Sequence, residues 1–235
     1  TINYNLIGRS DDEIQEQYKT DASKLSVEEL LYGATLTENA DEQKDIYTTT
    51  TKLYPNDFRA YNNLATLAYK QGNLAEAKSL LNQATSKKAD AAEVNANKAL
   101  IALAEGNTEE AQNALMKATA SPNYNEVLGN LQVAAGSYSQ AAQSLKGIHS
   151  NSAALAQILN KDYASATNTL KAVAQPNALT SYLKAIVAAR TNQEKDVIAN
   201  LKDAFTKDSS LKSYAAHDME FVALFNDSAF QNLLK

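Results

Sequence analysis

Two histidines, His149 and His217, are the side chains of this chain best suited to move a proton or bind a metal near neutral pH. His149 stands in "KGIHSNS", a stretch that reads as an exposed loop between helices. His217, Asp218 and Glu220 place one imidazole and two carboxylates within four residues, enough in principle to hold a divalent cation. One histidine followed by acids at a joint between helices more often serves as a cap, and that is the reading adopted. Paired acids at Asp11-Asp12-Glu13, Glu28-Glu29 and Glu109-Glu110 could act in acid-base chemistry, but they fall at expected helix starts. There they complement the positive end of the helix dipole. The chain has no H-E-x-x-H, no G-x-S-x-G, no phosphate loop and no dinucleotide fingerprint, and it has no cysteine. No residue is assigned as catalytic or metal-ligating, no cofactor is expected, and the chain is not read as an enzyme.

The elements that carry these residues follow from composition. Three prolines and seven glycines in 235 residues, with abundant Ala, Leu, Lys, Glu, Gln and Asn, predict helix throughout. The net charge of −5 argues against nucleic acid as a partner. That charge is N-terminal: residues 1–57 hold 12 acids and 5 bases, leaving 27 − 12 = 15 acids and 22 − 5 = 17 bases elsewhere. No apolar run is long enough to span a membrane.

A repeated turn organises the helices. "KQGNLAEA" at Gly72 recurs as "AEGNTEEA" at Gly106 and "AAGSYSQA" at Gly136, at spacings of 34 and 30 residues. Fainter copies place Lys161 and Asn192 where the glycine stands, after 25 and 31 residues. Five residues beyond each turn comes Ala77, Ala111, Ala141, Ala166 or Val197, and four further on Leu81, Leu115, Leu145, Leu170 or Leu201. Those positions share a helical face. Glycine can end the first helix with φ > 0, and the Asn or Ser after it can cap the second. Each hairpin leaves an apolar face that a neighbouring hairpin must cover.

With Tyr61, Leu64-Ala65, Ala68, Gly72, Ala77, Leu81 and Ala84, the second unit resembles a tetratricopeptide repeat (TPR), departing from the pattern at Ala89, where the family has proline. An earlier unit keeps Leu30-Leu31, Ala34, Tyr47 and Pro55; a later one keeps Leu128-Gly129, Gly136, Ala141 and Leu145. The resemblance implies an all-α fold, a right-handed α-solenoid of stacked antiparallel helix pairs. It also implies that residues left over from packing on the first helices line a groove for a peptide or partner domain. Carried over by position, these are Arg59, Asn62, Asn63, Thr66, Tyr69 and Lys70 in the second unit. The third unit adds Glu93 and Asn97, the fourth Asn123, Glu126 and Asn130. Asparagine suits an extended peptide, because its amide both donates and accepts. Glu93 and Asn97 stand where chaperone-binding members carry a basic pair, which disfavours an acidic peptide terminus. Glu28, Glu29 and Tyr32 make the groove's N-terminal end acidic and favour a basic or neutral segment.

The expected organisation is residues 1–9 as a strand-like remnant of a preceding domain or a disordered arm, and 10–23 as a linker. Residues 24–208 are expected to form about six helix pairs, and 209–235, rich in Phe221, Phe225 and Phe230, capping helices. About the first 35 residues resemble the segment after an OmpA-like, peptidoglycan-binding domain in Bacteroides-type outer-membrane-associated proteins. The resulting expectation is a non-enzymatic interaction scaffold, part of a larger cell-envelope protein in the periplasm or at the outer membrane of a Gram-negative bacterium. A structural spacer that self-associates and positions a peptidoglycan-binding domain, without a peptide ligand, is the alternative. The partner is a protein or peptide, not nucleic acid and not a membrane.

Overall fold

The computed structural model describes residues 8–235, all of whose regular elements are helices. The strand-like reading of residues 1–9 falls mainly on residues outside that range; Gly8 and Arg9 are exposed and irregular. The chain divides into two compact units, Thr1–Tyr124 and Asn125–Lys235.

The first unit contains α1 (Asp11–Asp21), α2 (Val27–Thr35), α3 (Ala40–Leu53), α4 (Phe58–Lys70), α5 (Leu74–Lys87), α6 (Ala92–Ala104) and α7 (Thr108–Met116). Residues 10–23, expected as a linker, hold α1 instead, followed by a short 3-10 turn at Ala22–Lys24. The helix is started by a capping box. Glu13 N–H donates to Ser10 Oγ at 3.3 Å and Ser10 N–H to Glu13 Oε2 at 2.7 Å, satisfying two donors that a helix start leaves unpaired. Ser26 and Glu29 repeat the device on α2. Ile14 of α1 is buried against Leu25 and Leu30, so α1 is packed rather than tethered. Successive pairs α2/α3, α4/α5 and α6/α7 follow, with Ala65, Ala68, Ala77, Leu81, Val94 and Ile101 forming one continuous core patch.

The second unit contains α8 (Tyr124–Ala134, starting at the boundary), α9 (Tyr138–Ser144), α10 (Asn151–Leu159), α11 (Tyr163–Lys171), α12 (Ala178–Arg190) and α13 (Glu194–Lys207). A terminal segment adds α14 (Leu211–Ala215), a 3-10 stretch at Met219–Leu224 and α15 (Ser228–Leu234). Phe221 and Phe230 are buried in it, and Tyr182 of α12 meets Phe221 edge-to-face at 5.5 Å between ring centroids. Two polar ties fix that segment. Tyr182 donates its hydroxyl proton to Asp218 at 2.6 Å, and Arg190 forks onto Glu220 while donating to the Ile158 carbonyl at 3.1 Å. Burial, reinforced by the Asp218 carboxylate, pushes the Tyr182 phenol well above its ordinary value.

The turns share one conformation. Gly72, Gly106 and Gly136 have φ of 78°, 76° and 76°, and Lys161 and Asn192 adopt φ of 62° and 58° in the equivalent places. Asn73, Asn107 and Asp162 then cap the following helices, whereas Ser137 and Gln193 make no side-chain cap bond. All ten face positions, from Ala77 and Leu81 to Val197 and Leu201, are buried. Truncating one of those leucines to alanine removes about 2–5 kcal/mol. Within the second unit, Gly129 of α8 makes the closest approach: a Cβ there would lie 2.3 Å from Leu145 Cγ.

Candidate partner-binding surface

Eight of the eleven expected groove residues lie on α4 and α6 of the first unit. Arg59, Asn63, Thr66 and Lys70 follow an i, i+4, i+7, i+11 progression and share one stripe of α4. Helix α4 starts at Asp57, whose carboxylate accepts the Arg59 N–H at 2.9 Å and then holds the Arg59 guanidinium at 2.7 Å. Glu28 of α2 holds the same guanidinium at 2.9 Å. These bonds keep the Asp57 carboxyl below the usual carboxylate range and raise the arginine.

The asparagines are placed differently from the expectation. Asn62 and Asn97 are buried, each only 6% exposed, and they bond to one another. Asn97 Nδ2 donates to Asn62 Oδ1 at 2.8 Å and to Thr66 Oγ1 at 3.0 Å, with the Asn62 carbonyl at 3.3 Å. Thr66 donates its hydroxyl proton to the same carbonyl at 3.1 Å. Asn63, half-buried, is hydrogen-bonded to the hydroxyl of Tyr47 on α3; burial raises the Tyr47 phenol and this bond opposes the rise. An amide buried between two helices without these partners would forfeit its hydrogen bonds to water, so the network fixes the register of α4 against α6. Asn62 and Asn97 are therefore seam residues, not residues that packing leaves free.

The expected groove residues that are fully exposed here are charged. Lys70 at the end of α4 and Glu93 in the first turn of α6 are exposed, Arg59 and Asn63 partly so, and Tyr69 is half-buried against the core. Asn123 accepts a bond from Ser121 before α8, in the first unit. Glu126 and Asn130, half-buried on α8, belong to the second unit and are not grouped with the rest. Glu28 and Glu29 of the acidic end are each engaged by an arginine, Glu29 by Arg9 at 2.9 Å, and Tyr32 donates to Asp11 at 2.9 Å.

His149 is exposed, and His217 Nδ1 lies 3.0 Å from the Ser213 carbonyl. Asp218 accepts the Glu220 N–H at 3.0 Å, the capping role expected for it, and Glu220 pairs with Arg190. Among the described residues no three potential metal ligands converge, and no helix is long and apolar enough to cross a membrane.

Helix pairs joined by left-handed turns, with small residues at the seam and first helices bonded side by side, give the chain the local geometry of a helical repeat. Residues 38–101 match the tetratricopeptide repeat family model. No curated protein matches the chain in sequence. Among solved structures, a tetratricopeptide repeat protein from Parabacteroides merdae is similar with a TM-score of 0.54 at 14% identity, over 95% of this chain and 89% of that one. The anaphase-promoting complex hetero-tetramer Cut9-Hcn1 is similar at 0.57 and 13% identity, over 94% of this chain and 45% of that one. PilW, a type IV pilus biogenesis factor, is similar at 0.50 and 17% identity, over 89% and 98% of the two chains. At these identities the likeness is one of fold, and the chain has the all-α, paired-helix fold of tetratricopeptide repeat structures.

Proposed function

We propose that this chain is a non-enzymatic protein-interaction scaffold that binds a peptide or partner domain across the exposed face of α4 and α6, as part of a larger cell-envelope protein. The observation that carries this reading is the bonded seam between the two first helices. Asn97, Asn62 and Thr66 lock α4 to α6 from within, and the same two helices expose Lys70 at the end of α4 and Glu93 in the first turn of α6. A surface held in one arrangement loses little conformational freedom on binding. The periplasmic or outer-membrane setting is supported by the resemblance of the first 35 residues to the segment after an OmpA-like domain. Affinity capture with wild type and with the charge-reversed pair Lys70→Glu/Glu93→Lys tests the scaffold role. Loss of the partner at unchanged melting temperature is expected; equal recovery with both proteins would refute it.

The spacer alternative has one observation in its favour. Tyr214, Met219 and Val222, within nine residues of one another, are at least half exposed. If this patch mediates self-association, Met219→Ser/Val222→Ser will convert a concentration-dependent sedimentation profile to that of a monomer.

A further inference from the structure

A cleft of about 510 Å³ opens between α1, α2 and α3 in the first unit, on helices other than the α4 and α6 surface. Its volume falls within the roughly 300–1,000 Å³ range of ligand-binding clefts. Ile14, Leu25, Leu30 and Ile46 form an apolar floor, and Gly33 leaves bare backbone at its base. A Cβ on Gly33 would come 3.1 Å from Ile14 Cγ2, so the absent side chain lets α1 pack close against α2. Tyr18 spans the cleft from α1 to α3, donating to Asp45 and lying 3.2 Å from Thr49 Oγ1. Its walls are thus tied together before anything binds.

The rim is mostly acidic. Glu29, Asp41, Glu42 and Asp45 line it against a single cation, Lys19. Arg9 neutralises Glu29, whereas Asp45 and Glu42 are met by uncharged hydroxyls, of Tyr18 and Thr37. Asp41, Glu42 and Asp45 are all exposed and follow one another around the first turns of α3, above an apolar base that concentrates their field.

We propose that the α1-α2-α3 cleft docks a cationic amphipathic segment of a partner protein. A large aliphatic or aromatic side chain enters beside Tyr18 and Ile46, the partly exposed part of the apolar lining, and flanking Lys or Arg residues meet Asp41, Glu42 and Asp45. This assignment rests on the scaffold reading but uses a different surface, so the two fail separately. Neither an acidic nor a purely polar segment satisfies both rim and floor.

Fluorescence anisotropy of the whole chain with a labelled synthetic Lys-Leu peptide tests it, using Lys-Ser and Glu-Leu peptides as controls. Only Lys-Leu should bind. Asp41→Asn/Glu42→Gln should weaken that binding about tenfold, Lys19→Gln should tighten it by about threefold, and added salt should weaken it. Glu194→Gln/Asp196→Asn on α13, removing two exposed acids of the other unit, should change nothing. Equal binding of Lys-Ser, an unchanged Kd in the α3 variant, or the same loss from the α13 variant would overturn the proposal. So would sedimentation showing that the α3 variant dissociates a dimer, because a second copy would then fill the cleft. If the cleft variants have no effect while capture still depends on Lys70 and Glu93, the cleft assignment falls and the scaffold stands. If capture fails as well, both fall.

Discussion

Asn97 on α6 donates its amide proton to the Asn62 side-chain oxygen on α4 across 2.8 Å, and both residues are buried. Asn97→Ala would leave Asn62 Oδ1 and Thr66 Oγ1 without their donor inside the seam. The expected cost is about 1–3 kcal/mol of folding stability. Asn97→Asp should cost more, since it sets a carboxylate against oxygen acceptors. Urea denaturation of both variants measures this, and an Asn97→Ala protein as stable as wild type would remove the seam role.

At Gly129 the limit is space rather than hydrogen bonding. An added methyl carbon would stand 2.3 Å from Leu145 Cγ, so Gly129→Ala must push Leu145 or α8 aside, at about 1–3 kcal/mol. Leu145→Ala is itself destabilising, yet it clears the site. Gly129→Ala should therefore cost less on the Leu145→Ala background than alone, a coupling that a double-mutant thermal unfolding cycle reads directly.

Lys161 and Asn192 occupy the left-handed region that Gly72, Gly106 and Gly136 fill in the other repeated turns. Lys161→Gly relieves the clash of a Cβ with its own backbone and should raise stability by about 0.5–1 kcal/mol, after the greater freedom of glycine in the unfolded chain is counted. Asn192→Gly should change stability little, because asparagine tolerates this conformation. Melting temperatures of the two variants compare them.

Acid should weaken the first unit through Asp57. Its folded pKa lies below the unfolded value of about 3.9, so its contribution is complete above that pH and disappears as pH falls through the lower, folded value. Asp57→Asn retains an N-cap but not the charge. Wild type should exceed the variant in urea midpoint near neutral pH, and the difference should shrink as the pH falls below the unfolded value of about 3.9. A constant difference would show that the Arg59 bond does not couple to folding.

The turns were legible in the sequence, even where lysine and asparagine replaced glycine, because the apolar face resumes five residues later wherever a hairpin must close. The small-residue seam was legible for the same reason. Helix α1 was not recognised, although Ser10-x-x-Glu13 carried the signal of a capping box; its mean polarity, with one buried apolar residue in Ile14, made it read as a linker. The surface was less legible than the fold. A polar residue on a first helix is compatible with a groove or with a seam, and only the presence of a partner 35 positions away in the chain distinguishes Asn62 from a solvated amide. The α1-α2-α3 cleft depends on Gly33 and on a helix not expected there, so nothing in the residue pattern announced it.

The second helices after the repeated turns differ in length: α5 and α13 have 14 residues, α7 and α11 have nine, and α9 has seven. A two-turn helix has few internal bonds beyond those its own ends leave unpaired, and depends on its neighbours for order. Amide exchange should consequently rank these helices by length, with the α9 amides losing protection first and those of α5 and α13 last. The same turn geometry thus joins segments of very different persistence, and breathing motions should begin in α9.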